Sequence, residues 1–398
     1  MTETFRALRH RDFRLFMLGQ VVSLTGTWMQ GVAQSWLVYR LTHSSVLLGT
    51  IGFLTHLPVL LLGPAAGLAA DRWPRRNIVL VAQSAFLIQA STLAVVTLTG
   101  AVTVPHLLAL AAILGAINAF DIPARQSLYV HLVGQDDLPN AIAINSITFN
   151  AARVAGPSIG GLFVATLGEG MCFAANAVSY LAVIGALLIM RAREAPRSEH
   201  PPALEHLREG FRYAWTNPLV KTLLLLTAIG NVASTPVSVL GPVFAGDIFQ
   251  RGSRGLGLLV GAMGFGAVIG MVVLARSRDA SQMRPVISAS VLGTAGALAC
   301  YALSPWFPLS LAAMAVLGFN LFRQLGATNT LIQSAISDEY RGRIMSLYSM
   351  TVVGMLPLGN LLSGFAGHWL GARGTVLAGS AVSIAAAALW FSRKDANR

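Results

Sequence analysis

Apolar residues in this chain run far longer than a soluble core element needs. No Asp, Glu, Lys or Arg interrupts residues 41–70, 77–120, 170–190, 222–246, 255–275, 285–322, 344–372 or 374–392. A helix crosses the hydrocarbon of a bilayer in about 20 residues at about 1.5 Å each. The runs 77–120 and 285–322 are therefore two spans apiece, with turns at Gly100 and Pro105 and at Ser304, Pro305 and Pro308. Less uniform apolar stretches at about 12–38 and 138–166 supply a first and a fifth span. The pattern predicts an all-α membrane protein of twelve transmembrane helices.

Composition agrees. The 398 residues are 55% hydrophobic and 11% charged, with mean hydropathy +0.64. A soluble domain has roughly 25% charged residues, so this chain lacks the charge a water-facing surface requires. The net charge of +12 raises the question of nucleic acid. The basic residues, however, sit between apolar runs rather than along one face, so no nucleic-acid partner is expected. Cys172 and Cys300 each lie inside an apolar run and imply no disulfide.

The basic residues orient the spans. With both termini on one side, that side collects 22 of the 28 arginines and lysines. The other side holds only Arg40, Arg251, Arg254 and Arg373, while Arg153 and Arg323 fall inside spans. The positive-inside rule then makes both termini cytoplasmic. The start, MTETFRALRHRDF, is basic like the head of a signal peptide, but no small-residue cleavage site follows and the first span is expected to be retained. A loop at 193–218 separates an amino-terminal six-helix half (1–192) from a carboxy-terminal one (219–398). Leu204, Leu207, Phe211 and Trp215 within the loop share one helical face, which predicts an amphipathic helix on the cytoplasmic leaflet. A solvated linker is the alternative.

The loop after the second span reads GLAADRWPRR. It resembles the cytoplasmic signature G-x-x-x-D-R-x-G-R-R of the major facilitator superfamily. Gly67, Asp71, Arg72, Arg75 and Arg76 match, while Pro74 stands where that family has glycine. A carboxylate there can accept hydrogen bonds from a facing helix start and pair with arginines. The resemblance implies a fold of two pseudo-symmetric six-helix halves and a network latching them on the cytoplasmic side. The equivalent second-half loop, ARSRDASQMRP, is degenerate. Positive-inside anchoring alone is the competing explanation, but it does not require Asp71.

NAFDIPARQSL ends the fourth span, with Asn118, Asp121 and Arg125 on one face. Asp121 is a candidate proton carrier, because ionisable groups in spans are costly and functional. By the same resemblance it is a gate acid pairing with Arg75 or Arg76. NAARVAGPSIGG is similar to the superfamily's antiporter signature G-x-x-x-G-P-x-x-G-G: Gly156, Pro157, Gly160 and Gly161 match and Ala152 replaces the first glycine. Such glycines let helices approach closely and the proline permits a bend, which ordinary packing would also require. DIPARQSL, LPNAIAINS, NAARVAGPSIGG and SDEYRGRIMSLYSM together resemble the siderophore and drug exporters of the superfamily. SDEYRGRIMSL lies in the second half as DDLPNAIAI does in the first, and Arg341 and Arg343 within it are the expected gate partners from that half.

Polar faces of apolar spans mark the expected substrate path. The first span has Gln20, Ser23, Thr27, Gln30 and Gln34 at spacings of three and four. Asn150 and Arg153, Asn231 and Thr235, and Asn320 and Arg323 add shorter stripes. Two cations among few acids point to an anionic or polar substrate, unless helix ends or carbonyls hold Arg153 and Arg323. His56 in the second span can exchange protons or serve as a structural hydrogen-bonder.

Catalysis is not indicated. GLGLLVG and GFGAVIG are one residue longer than the dinucleotide fingerprint and lie inside an uncharged run. There is no P-loop, and no H-E-x-x-H, cysteine pair or paired carboxylates suggest catalysis, so no enzyme activity, cofactor or metal is expected. The resemblance implies a proton-coupled exporter of a siderophore-like or drug-like small molecule, working by alternating access as a monomer in a bacterial inner membrane. An importer of a small polar or anionic solute, or a non-transporting receptor or assembly factor on the same fold, is the alternative.

Overall fold

A computed structural model describes residues 3–191, 203–277 and 279–395, with side chains throughout except at 3, 4, 71, 203–208, 280 and 392–395. Asp71, Arg193, Arg197, Leu204, Leu207, Arg208, Arg278, Arg393, Lys394 and Arg398 thus lie outside the described side chains. Helices α1 (Arg11–Thr42), α2 (Ser45–Arg72), α3 (Arg75–Leu98), α4 (Val104–Leu167) and α5 (Glu169–Ile189) come first, after a 3-10 turn at Glu3–Arg9. Then follow α6 (Ala203–Thr216), α7 (Pro218–Val239), a short turn α8 (Gly241–Val243) and a π-helical turn at Phe244–Ile248. Helices α9 (Gly252–Ala275), α10 (Met283–Leu303), α11 (Phe307–Ala335) and α12 (Asp338–Asp395) complete the chain.

At 64 residues α4 would be about 96 Å long if straight, three times the hydrocarbon thickness. It is not straight: Gly134 has φ +76° and breaks it in two. Gly371, at φ +69°, breaks α12 in the same way. That conformation costs an L side chain its Cβ clearance, and glycine adopts it freely. Nine described helices are long and apolar enough to span, and α4 and α12 are two of them. Counting the broken pair twice and adding the more polar α1 is consistent with twelve spans.

Local chemistry sets several ends. Asn217 caps α7 by accepting from the amides of Leu219 and Val220 at 3.1 and 3.2 Å, and Pro218 follows in the first turn. Thr103 precedes α4 in extended conformation with Pro105 in its first turn. The turns expected at Gly100 and at Ser304 to Pro308 are where α3 and α10 stop.

The described chain forms two compact units. One comprises 1–41, 54–199 and 252–257; the other comprises 42–53, 200–251 and 258–398. In the first, α3 packs on α4 and α5. Its core at the basic end holds Phe13, Phe16, Leu128, Tyr129 and Leu187, with both phenylalanines edge-on to Tyr129 at 6.1 Å. In the second, α12 packs on α7 and α10, and α10 on α11. Val220, Ile287, Ile332, Ile344 and Trp390 lie in its core, where the Trp390 indole donates to Ser288 Oγ at 2.9 Å.

Helix α6 belongs to the second unit. Gly210 sits where a Cβ would stand 3.1 Å from that of Arg343, and Tyr213 stacks on Tyr340 at 4.5 Å. Phe211 and Trp215 turn outward, each 57% exposed and stacked at 5.5 Å.

Candidate functional site

Asp121 is buried on α4, and its partners differ from those the resemblance implied. Arg125, one turn on, places Nε 3.2 Å from Asp121 Oδ2. Gln83 on α3 donates Nε2 to Asp121 Oδ1 at 3.0 Å, and Arg125 Nη1 donates to Gln20 Oε1 on α1 at 3.0 Å. Neither Arg75 nor Arg76 is in this cluster. A pair four residues apart on one helix forms without help from a loop, and burial then holds it. Gln20 Nε2 and Gln83 Oε1 are buried without protein partners, leaving the cluster spare hydrogen-bonding capacity.

The loop arginines are occupied nearby. Arg76 donates Nε to the Leu187 carbonyl at 2.8 Å and Nη2 to that of Leu188 at 3.4 Å, closing the open end of α5. Arg75 Nη1 lies 2.9 Å from His131 Nε2. His131 Nδ1 lies 3.0 Å from the Ser127 carbonyl, so Nδ1 donates there and Nε2 accepts from Arg75. Arg72 is exposed, and Gly67 has open space where a Cβ would stand. In the second unit Arg341 pairs with Asp338 and Arg343 with Glu209 of α6 at 3.2 Å.

The first-span stripe meets other helices of its unit. Gln20, Ser23, Gln30 and Gln34 are buried, and their unit supplies the contacts the amides make. Gln30 donates to Gln89 Oε1 at 3.2 Å and accepts from Asn176 Nδ2 at 2.7 Å; Thr27 Oγ1 meets the Tyr180 hydroxyl at 3.2 Å. Side chains of the stripe that lipid could not satisfy have found partners on α3 and α5. Gln34 Nε2 remains buried and unpaired.

The shorter stripes are half-resolved into packing. Asn150, Asn320 and Thr235 bond carbonyls of their own helices, and Asn231 donates to the Val352 carbonyl at 3.2 Å. Arg153 lies 5.5 Å over the Trp28 ring and Arg323 5.5 Å over Phe319, so each half-buried cation rests on an aromatic face. His56 is half-buried on α2. Gly156 and Gly160 press on α1: a Cβ on either would stand 2.5 Å from Trp28 Cβ or 2.8 Å from Met29 Cα. Gly161 meets Gly257 at 2.9 Å by the same measure.

One cluster escaped the sequence reading. Asp137, 1% exposed, accepts from Arg6, from Arg9 Nη2 at 2.8 Å and contacts His10 Nε2 at 2.7 Å. Asn140 Oδ1 accepts from the Ala7 amide at 2.9 Å. The His10 contact, then Arg6 and Arg9, hold the Asp137 carboxyl below the usual carboxylate range against the opposing effect of burial. The signal available was DDLPN beside a basic start, but no spacing rule joins residues 130 apart. Arg40 also pairs bidentately with Glu169, at 2.8 and 3.2 Å.

The profile of a family described as transmembrane secretion effector matches residues 2–395. The enterobactin exporter EntS of Shigella boydii serotype 4 (strain Sb227) is 28% identical over 378 residues, covering 94% of this chain and 88% of that protein. Among solved structures, the nucleoside transporter NupG superposes with TM-score 0.77 at 13% identity, over 96% of this chain and 98% of that one. A bacterial homologue of the human lysosomal transporter Spinster, inward-facing and unoccupied, gives 0.73 at 16% identity, over 98% and 97%.

Proposed function

The chain belongs to the transmembrane secretion effector family of the major facilitator superfamily and is a multi-pass membrane transporter of small molecules, and on that premise we propose that it exports a siderophore-like or drug-like compound in exchange for protons. The observation carrying the export reading is the likeness to an enterobactin exporter along 94% of the chain. The Gly156, Pro157, Gly160 and Gly161 motif supports it. Both termini face the cytoplasm of a bacterial inner membrane, by the arginine distribution. The protein works as a monomer by alternating access.

Asp121 is the coupling carboxylate in this reading. Among the described residues, Asp121, Asp137 and Glu169 are the buried acids, and the last two stand beside a helix break and a helix start. Asp121 is met by side chains of α3 and of its own α4. Its proton would release Arg125 to other acceptors, of which Gln20 is already one. His56 is the secondary candidate.

Efflux from cells stripped of their other major pumps tests the proposal. Mass spectrometry follows a catecholate siderophore and a macrolide, with and without this protein and a protonophore. Protein-dependent loss of either compound, abolished by the protonophore, is expected. Uptake, or no change with the protein in the membrane, overturns export.

A further inference from the structure

Arg323 lies near the middle of α11, about 24 Å of helix after Phe307 and about 18 Å before Ala335. A cation at that depth is costly unless something answers its charge. The second unit supplies no carboxylate at that level. From Ala280 to Ser337 the chain has no Asp or Glu, and neither do α7 and α9. The acids of α12 are Asp338, Glu339 and Asp395, at its two ends.

The other acceptors an arginine can use are missing too. Among the described residues no carbonyl, helix end or ion pair takes a hydrogen bond from Arg323, and its Nε is buried without a partner. Phe319, one turn earlier, lies 5.5 Å from the guanidinium and covers one face of it. A ring on that face steadies the guanidinium plane and leaves its N–H edge to other acceptors. Arg125 in the first unit is the contrast, since Asp121 and Gln20 both answer it.

Gln324 follows on the adjoining face of α11. It is 3% exposed, and its Nε2 stands 3.5 Å from where a Cβ on Gly230 of α7 would lie. No described residue hydrogen-bonds its amide either. A charged donor and a neutral donor thus sit side by side, both without acceptors from the protein. Hydrocarbon offers none, so the exposed side of Arg323 meets water or a solute.

Resting on the proposal that the cargo is a siderophore-like or drug-like compound, we infer that Arg323 and Gln324 form its anion-binding subsite and that the cargo carries an acidic group. The guanidinium edge pairs with a carboxylate or comparable oxyanion, and the Gln324 amide donates to the same group. A neutral compound would leave the cation unanswered. Arg323 is then a residue held for recognition at the expense of stability.

Two measurements on purified full-length protein in detergent test this, and neither depends on the direction of transport. Without ligand, Arg323→Gln should melt no lower than the natural sequence, because no protein partner is lost. Titration at low ionic strength then compares 2,3-dihydroxybenzoate with its uncharged amide, 2,3-dihydroxybenzamide. The acid should bind about tenfold more tightly, the increment of one charge-assisted hydrogen bond. Arg323→Gln should bind the two alike, and Arg323→Lys should keep part of the preference. Gln324→Leu should weaken binding of the acid about fivefold. Equal binding of acid and amide by the natural sequence, no binding of either, or a lower melting point for Arg323→Gln overturns the inference. Displacement of the acid by equimolar chloride would mark a halide site and overturn it too. Failed efflux with the binding preference intact would remove export and keep the subsite.

Discussion

Asp121 and Arg125 pair at 3.2 Å within one helix, so this buried carboxylate of the first unit is neutralised by its own α4 rather than by the loop arginines. Gln83 and Gln20 complete the cluster from α3 and α1. Four side chains from three helices are thereby joined around one titratable group.

Removing one member of a buried pair costs more than removing both. Arg125→Ala strands the Asp121 charge and should destabilise the protein by about 3 kcal/mol. Combining Asp121→Asn with Arg125→Gln should recover much of that loss. Melting in detergent of the two variants checks it, and the double variant melting no higher than Arg125→Ala would contradict the pairing.

Arg76 meets two carbonyls at the end of α5. Arg76→Ala opens that end and should cost about 1 kcal/mol. Hydrogen exchange at the last turn of α5 should rise, while exchange in α9 and α10 stays unchanged.

Gly156 has no room for a side chain beside Trp28. Gly156→Leu should destabilise by about 1–3 kcal/mol through overpacking. Gly185, with nothing within 4 Å of its Cβ position, is the control. Gly185→Ala should melt no lower than the natural sequence, since alanine is the better helix former by about 1 kcal/mol.

The Asp137 cluster predicts a pH response in the first ten residues. Its carboxyl is held below its ordinary value, so the stabilisation is complete above the ordinary carboxylate range and fades as pH falls through the lowered value. Limited proteolysis near Arg6 and Arg9 should therefore accelerate only under acid conditions. Asp137→Asn should show that acceleration already at neutral pH.

Span positions were legible because uncharged runs and turn residues are local signals: Gly100 and Ser304 end helices where the chain said they would. Gly134 and Gly371 were less visible, since a break inside a long helix rests on one φ. The stripe of Gln20, Ser23, Thr27, Gln30 and Gln34 was legible as an inward face, but not as one shared with α3 and α5. Periodicity tells which side of a helix is polar and not what stands opposite. Asp121 and Arg125 were seen on one face, yet the resemblance directed Asp121 to Arg75 or Arg76. The Arg6–Asp137 contact joins chain positions that no local pattern connects.

Proteoliposomes with an imposed pH gradient test the central claim most directly, using the compound identified by efflux. The natural protein should concentrate it against its gradient when protons are supplied from the opposite side. Asp121→Asn should lose that uphill movement while retaining counterflow between equal pools. Uphill transport by Asp121→Asn at the natural rate, or transport by the natural protein that ignores the gradient, would contradict the account.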